Sequence, residues 1–166
     1  GAVRVYLVQH GEAKSEEEDP DRPLTDRGAT EVRRVVGVAA GAGSVMVERI
    51  VHSGKTRARQ TAAAWGEALG VPIGESDGLA PRDDPAIWAA RVTAETRDMM
   101  LVGHLPHLAA QALVAASEHS AALDAVGVNL RATWPALDVD RQRTILAAVF
   151  EGIYIKPSTR RGVQLR

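Results

Sequence analysis

At 166 residues, with 45% hydrophobic and 25% charged side chains, the chain suits one domain with a small appendage and can bury a real core. A formal net charge of -1 argues against the global field of a non-specific nucleic-acid or membrane binder. The lack of cysteine excludes disulfides, thiolate catalysis and cysteine-ligated zinc, and no apolar stretch nears the ~20 residues that span a bilayer. No basic segment followed by an apolar one precedes the first strand, so the expected setting is cytoplasmic.

The nearly unbroken apolar run Val3 to Val8 predicts a buried central strand that ends at Gln9-His10-Gly11-Glu12. Residues 12–25 read as a polar loop, with Glu16, Glu17, Glu18 and Asp19 as a solvated acidic run. Thr25 precedes a helix on which Val32, Val35, Val36 and Ala39 recur at helical spacing until Gly41 and Gly43. A short strand over Arg49 to His52 leads into a helix from Lys55 to Leu69 that Gly70 closes. A third strand spans about Pro72 to Glu75, and Pro85 opens a helix to about Glu95. The fourth strand, Met99 to Val102, ends in Gly103-His104 before a helix from Pro106 to about Ala116. Strands alternating with helices in this way predict a three-layer α/β/α fold around a mainly parallel sheet.

Ligands of open α/β sheets bind beyond the carboxyl ends of the strands. Three strand ends here carry complementary groups: His10, the Ser53 to Thr61 segment with Arg57, and His104. A histidine that attacks phosphorus needs one neutral ring nitrogen free and the other nitrogen's proton held by an acceptor. His10, on a tight turn before Gly11, suits that role. Gly11 is expected to allow close approach of a phosphate to main-chain N–H groups. Arg57, one turn inside a helix, adds its guanidinium to a helix end that favours anions. His104, as imidazolium, would donate to a phosphoryl oxygen. Taken singly, each residue also has a structural reading; their recurrence at equivalent strand tips favours a phosphate pocket. His52 and His107 read as structural or supporting residues and His119 as surface.

The stretches LVQHGEA at 7–13, RPLTDRG at 22–28, HSGKTRARQTA at 52–62 and LVGHLPHL at 101–108 resemble the histidine phosphatase superfamily, specifically its small SixA-like phosphohistidine phosphatases. The resemblance covers about residues 1–116, taken as the core domain, and implies a phosphoglycerate mutase-like fold. It implies His10 as the phosphorylated nucleophile, with Arg57 and His104 as its catalytic partners in the pocket. It further implies a phosphohistidine-bearing protein as substrate, no metal and no organic cofactor. One departure stands before the nucleophile, where the superfamily usually has arginine and this chain has Gln9. Glutamine still donates a hydrogen bond to a phosphate oxygen, but the pocket loses a fixed charge and with it some affinity. Arg59 lies two residues from Arg57 on the helix and so faces elsewhere. Asp83 and Asp84 read equally as candidate general acids or as caps for the helix at Pro85. Two rival readings stay open: a phosphomonoesterase for a small phosphorylated metabolite, and a non-catalytic phosphate-binding interaction module.

After about Ser117 the rhythm changes. Residues 117–166 form an atypical, partly helical C-terminal appendage, with weak helical patterns at 120–135 and 141–150 and a strand-like run at Ile153 to Ile155. Residues 125–163 resemble a C-terminal segment of large serine recombinases, without that family's nucleophile domain. The plain reading is a fused appendage, or a replacement for a missing edge strand by Ile153 to Ile155. The sharper one is a DNA- or partner-binding tail using Lys156, Arg160, Arg161 and Arg166, although nucleic acid is an unlikely partner on overall charge.

Overall fold

The computed structural model describes residues 3–104, 107, 108, 154 and 155. The boundary placed after residue 116, His119, the basic terminus, Ile153 and the tail's helical patterns lie outside the described residues. So does the 125–163 resemblance, apart from residues 154 and 155.

Five strands are defined: β1 (Val5–Gln9), β2 (Arg49–His52), β3 (Ile73–Glu75), β4 (Met99–Gly103) and β5 (Tyr154–Ile155). Three helices alternate with the first four of them: α1 (Asp26–Gly41), α2 (Thr56–Leu69) and α3 (Pro85–Thr93). All pairings among these strands are parallel, in the order β3-β2-β4-β1-β5. The expected parallel α/β architecture is therefore present. Residues 154 and 155 lie beside Leu7 and Val8 of β1, as the edge-strand reading of that run requires.

β1 begins and ends later than the apolar run suggests because the ladder, not hydrophobicity, sets its limits. Val5 pairs with Met99 and Gln9 with Gly103, so polar Gln9 is a strand residue. α3 stops at Thr93, before Glu95. Ala94 and Glu95 donate to the carbonyls three residues back, a tightened last turn, and the Glu95 carboxylate pairs with Arg49.

The central residues of β1, β2 and β4 are buried on both faces, which explains their unbroken hydrophobicity, whereas β3 is exposed. On one face Tyr6, Val8, Ile50, Met100 and Val102 pack against Val32 and Val36 of α1 and Ala58, Ala62 and Trp65 of α2. The alternate residues Leu7, Val51, Met99 and Leu101 are also buried, as are Leu79, Trp88, Ala89 and Leu108. Small Ala58 and Ala62 let the α2 backbone settle close to the sheet, and Trp65 fills the volume beyond them. α1 and α3 are each started by a side-chain cap, whereas α2 has none. Thr25 accepts the Gly28 N–H at the start of α1, and Asp84 accepts the Ala86 N–H at the start of α3.

Trp65 is 1% exposed and Val38, on the outer side of α1, is 70% exposed. Replacing Trp65 by alanine is expected to cost about 3–5 kcal/mol through lost burial and a residual cavity. Val38→Ala should stay within about 0.5 kcal/mol. Urea midpoints of the two variants test this contrast.

Candidate active site

The carboxyl ends of β1, β4 and β2 lie side by side. Gln9 pairs with Gly103 and His52 with Val102, so the residues that follow leave the sheet at one level. The His10 N–H donates to the Gly103 carbonyl at 3.1 Å and extends the ladder to the turn. This register brings together His10, Ser53 and His104, and α2, which begins just after the β2 tip, adds Arg57.

His10 is held in one tautomer. Its Nδ1 lies 2.6 Å from the Gly11 carbonyl, which can only accept, so Nδ1 carries the proton. Nε2 then presents its lone pair and receives the Arg57 Nε–H at 3.3 Å. Burial pulls the His10 pKa down to about 4; the Gly11 bond opposes this, and the Arg57 and Arg22 charges add to it. At neutral pH the ring is an uncharged base with its free nitrogen next to a guanidinium.

His104 completes the group. Its ring centroid lies 4.9 Å from that of His10. Its Nδ1 is 3.5 Å from Arg57 Nη2 and its Nε2 is 2.7 Å from Ser53 Oγ. Burial, then the neighbouring His10 and Arg57, lower its pKa to about 3. In this geometry burial and the neighbouring cations favour the neutral ring; the imidazolium expected from the sequence concerns a ring facing a phosphoryl oxygen. Arg57 is only 8% exposed, and burial and Arg22 hold its pKa below the usual arginine value. The charges acting on the two imidazoles at the pocket are cationic, Arg57 and Arg22 on one and Arg57 and Lys55 on the other.

Gly11 behaves differently from expectation. Its N–H donates to Thr61 Oγ1 at 3.0 Å and is not left free for a phosphate. The glycine is needed for space, because a Cβ there would stand 2.6 Å from Val32 Cγ2. The hydroxyl of Thr61 in turn donates to the Arg57 carbonyl, so Thr61 ties the His10 turn to the first turn of α2. Gln9 is half-buried, and its Oε1 is buried with no hydrogen-bond partner among the described residues.

The 22–28 segment buttresses the same turn. The Thr25 N–H donates to the Glu12 carbonyl, and the Thr25 hydroxyl donates to Glu12 Oε1 at 3.0 Å. Gly28 lies so close that a Cβ would overlap the Glu12 carbonyl. Arg22 is the site residue that sequence reasoning left without a role. Its backbone is left-handed, φ 47°, an uncommon state for a non-glycine residue. Its Nε donates to the Lys14 carbonyl at 3.1 Å, and its charge reaches both His10 and Arg57. The available signal was its place at the head of the RPLTDRG stretch; the positive φ that turns it inward had no signature.

The other candidates lie around this group. Arg59 is exposed and acts on His52, away from Arg57. His52 is buried and accepts the Gly54 N–H through Nδ1, which secures the turn after β2. Asp84 caps α3, and Asp83 Oδ2 accepts the Ala80 N–H at 2.9 Å, so backbone amides engage both carboxylates. His107 is buried beside them, with its pKa lowered by burial against the opposing pull of Asp83 and Asp84. Among the described residues, no cluster of three histidine or carboxylate groups could hold a metal, and no helix is long and apolar enough to cross a membrane.

A parallel α/β sheet that gathers two imidazoles and a guanidinium at adjacent strand ends places this chain among α/β proteins whose site lies beyond the carboxyl ends of the strands. Residues 5–126 match the model of the histidine phosphatase superfamily (branch 1), and the chain belongs to that superfamily. The phosphohistidine phosphatase SixA of Escherichia coli (strain K12) is 30% identical over 111 residues, which are 63% of this chain and 68% of the relative. A crystal structure from Agrobacterium tumefaciens, of a candidate phosphohistidine phosphatase SixA, has a TM-score of 0.59 at 30% identity. That match covers 75% of this chain and 84% of the other. A protein histidine phosphatase SixA complexed with tungstate has a TM-score of 0.58 at 28% identity, covering 64% of this chain and 72% of that one.

The buried histidines make acid a destabilising condition. Their folded pKa values, about 4 for His10 and about 3 for His104, lie below the unfolded value of about 6.5. The unfolded chain therefore binds more protons in that window. Their contribution to stability is complete above about pH 6.5 and is lost as the pH falls toward 3. Nitrogen-detected NMR should find His10 protonated on Nδ1 at pH 7 and titrating near 4, with the urea midpoint falling below pH 6.5. A His10 midpoint near 6.5 would contradict the buried geometry.

Proposed function

We propose that this protein is a phosphohistidine phosphatase acting on a protein-borne phosphohistidine, with His10 as its nucleophile. The observation that carries the reading is the state of His10. Nδ1–H is anchored on the Gly11 carbonyl, and the neutral Nε2 is directed at Arg57. A phosphoryl group drawn to Arg57 by charge would meet that lone pair.

In the first step the Nε2 lone pair bonds to phosphorus as the bond from phosphorus to the substrate imidazole breaks. The electron pair of the broken bond stays with the substrate ring. If the ring's other nitrogen carries its proton, it departs as neutral imidazole. In the second step a water oxygen bonds to phosphorus and the bond to Nε2 breaks. The electron pair returns to His10, still protonated on Nδ1, and the water protons leave with inorganic phosphate. The transferring group is negatively charged throughout, so catalysis is largely positioning and neutralisation. Arg57, His104, Arg22 and the Gln9 amide supply both.

Two further observations favour a phosphoramidate over a phosphate ester. An alkoxide leaving group needs a proton donor, and the carboxylates considered for that task, Asp83 and Asp84, each already accept a backbone N–H, from Ala80 and from Ala86 at the start of α3. An imidazole already protonated on its other nitrogen makes no such demand. Likeness to the SixA relatives points the same way, and the tungstate complex of one of them is consistent with a tetrahedral oxyanion in this pocket. Such an enzyme would remove phosphoryl groups from a cytoplasmic signal-transduction carrier, without metal or organic cofactor.

The full-length protein should hydrolyse a phosphohistidine-bearing carrier protein much faster than phosphoserine or small phosphate esters. His10→Ala should lower turnover roughly a thousandfold or more and abolish acid-labile phosphorylation of the enzyme. Near-parental turnover in that variant would remove His10 from the role, and faster ester hydrolysis would favour a phosphomonoesterase. Tight tungstate binding without any turnover would instead indicate a binding module.

Gln9→Arg restores a fixed charge at the β1 tip. It should tighten tungstate binding about five- to tenfold in calorimetry, in line with the strength of charge-assisted contacts.

A further inference from the structure

Ser53 stands between the β2 tip and α2 and is half-buried. Its Oγ is 2.7 Å from His104 Nε2 and also receives the Lys55 N–H at 3.4 Å. On the far side of the same ring, His104 Nδ1 faces Arg57 Nη2 at 3.5 Å. A guanidinium nitrogen only donates, so Nδ1 must be the accepting nitrogen in this state. The ring proton is then on Nε2, and the Ser53 oxygen accepts it. With the Lys55 N–H, both acceptor positions of that oxygen are filled.

We propose that Ser53 is a positioning residue for His104: it holds Nε2 as an N–H and so leaves Nδ1 turned toward Arg57 as the position that gains a proton when an oxyanion enters. The inference rests on the phosphate-pocket reading and adds to it a device for setting the second imidazole. With an anion present, His104 can carry protons on both nitrogens, Nε2–H on Ser53 and Nδ1–H on a phosphoryl oxygen. Without the hydroxyl, Nε2 has no acceptor among the neighbours described above. Without that contact the ring can turn away from Arg57, and its proton is then no longer confined to Nε2. The segment 52–55 is built to keep the hydroxyl in place. Gly54 has φ 82°, outside the comfortable range of other residues, and its N–H is held by His52 Nδ1.

The test uses the full chain, labelled with nitrogen-15, and tungstate as the oxyanion. In the parent, His104 should show the Nε2–H tautomer at pH 7 and gain the Nδ1 proton when tungstate is added. Ser53→Ala should give a mixed His104 tautomer and bind tungstate about tenfold more weakly, while His10 keeps its Nδ1–H form. Ser53→Thr, which retains a hydroxyl, should restore the Nε2–H form. A parent His104 protonated on Nδ1 without tungstate overturns the proposal, whatever the variants do. So does a Ser53→Ala protein with parental tautomer, whether or not its affinity falls. The ring readout is independent of turnover: a protein that hydrolyses no phosphohistidine but shows these tautomers would refute the enzymatic reading and leave the Ser53 assignment standing.

Discussion

The pocket exists because β1, β4 and β2 are neighbours in one parallel ladder and end at the same level. Parallel strands lie about 4.8 Å apart, so groups carried just beyond their ends are within reach of one another. His10 and His104 are on adjacent strands, and their ring centroids are 4.9 Å apart, close to that spacing. Ninety-three residues separate them along the chain, but β4 inserts between β1 and β2 and removes that distance. The remaining connections serve this alignment. Thr61 links the His10 turn to α2, and Thr25 with Gly28 packs the 22–28 segment onto Glu12.

The same packing governs the chemistry. Burial removes water that would otherwise stabilise protonated rings, and the guanidinium of Arg57 sits against both imidazoles. The two rings therefore stay neutral where free histidine would be partly charged. For His10 that state suits the proposed attack, because only an unprotonated nitrogen attacks. For His104 it is the resting condition from which the proposed protonation would start. One architecture thus gives two chemically identical side chains different tasks, through the partner each ring finds: a carbonyl for His10 and a hydroxyl for His104.

Much of this was legible in the sequence, for identifiable reasons. Val5 to Val8 and Met99 to Val102 are apolar on both faces, which is the mark of covered parallel strands. Thr25 and Asp84 are short side chains ahead of periodic segments, and both cap. The meeting of His10, Arg57 and His104 followed from their positions at strand ends. What stayed hidden depends on three-dimensional detail. Gly11 looked like a phosphate contact, whereas its amide is held by Thr61, fifty residues away. Arg22 owes its influence to a left-handed backbone that no composition rule foretells. The charge state of His104 depends on its burial first and then on the cations around it, a property of the folded surroundings and not of the motif.

The β5 segment has a consequence for how this chain should be handled. Leu7 and Val8 lie in the strand that leads to His10, and among the described residues their outer neighbours are residues 154 and 155, far along the polypeptide. A shortened protein lacking those residues would expose an apolar strand as an open margin, the kind of surface that recruits a second molecule by backbone pairing. Residues 154 and 155 thus cover part of the margin of the strand that leads to His10.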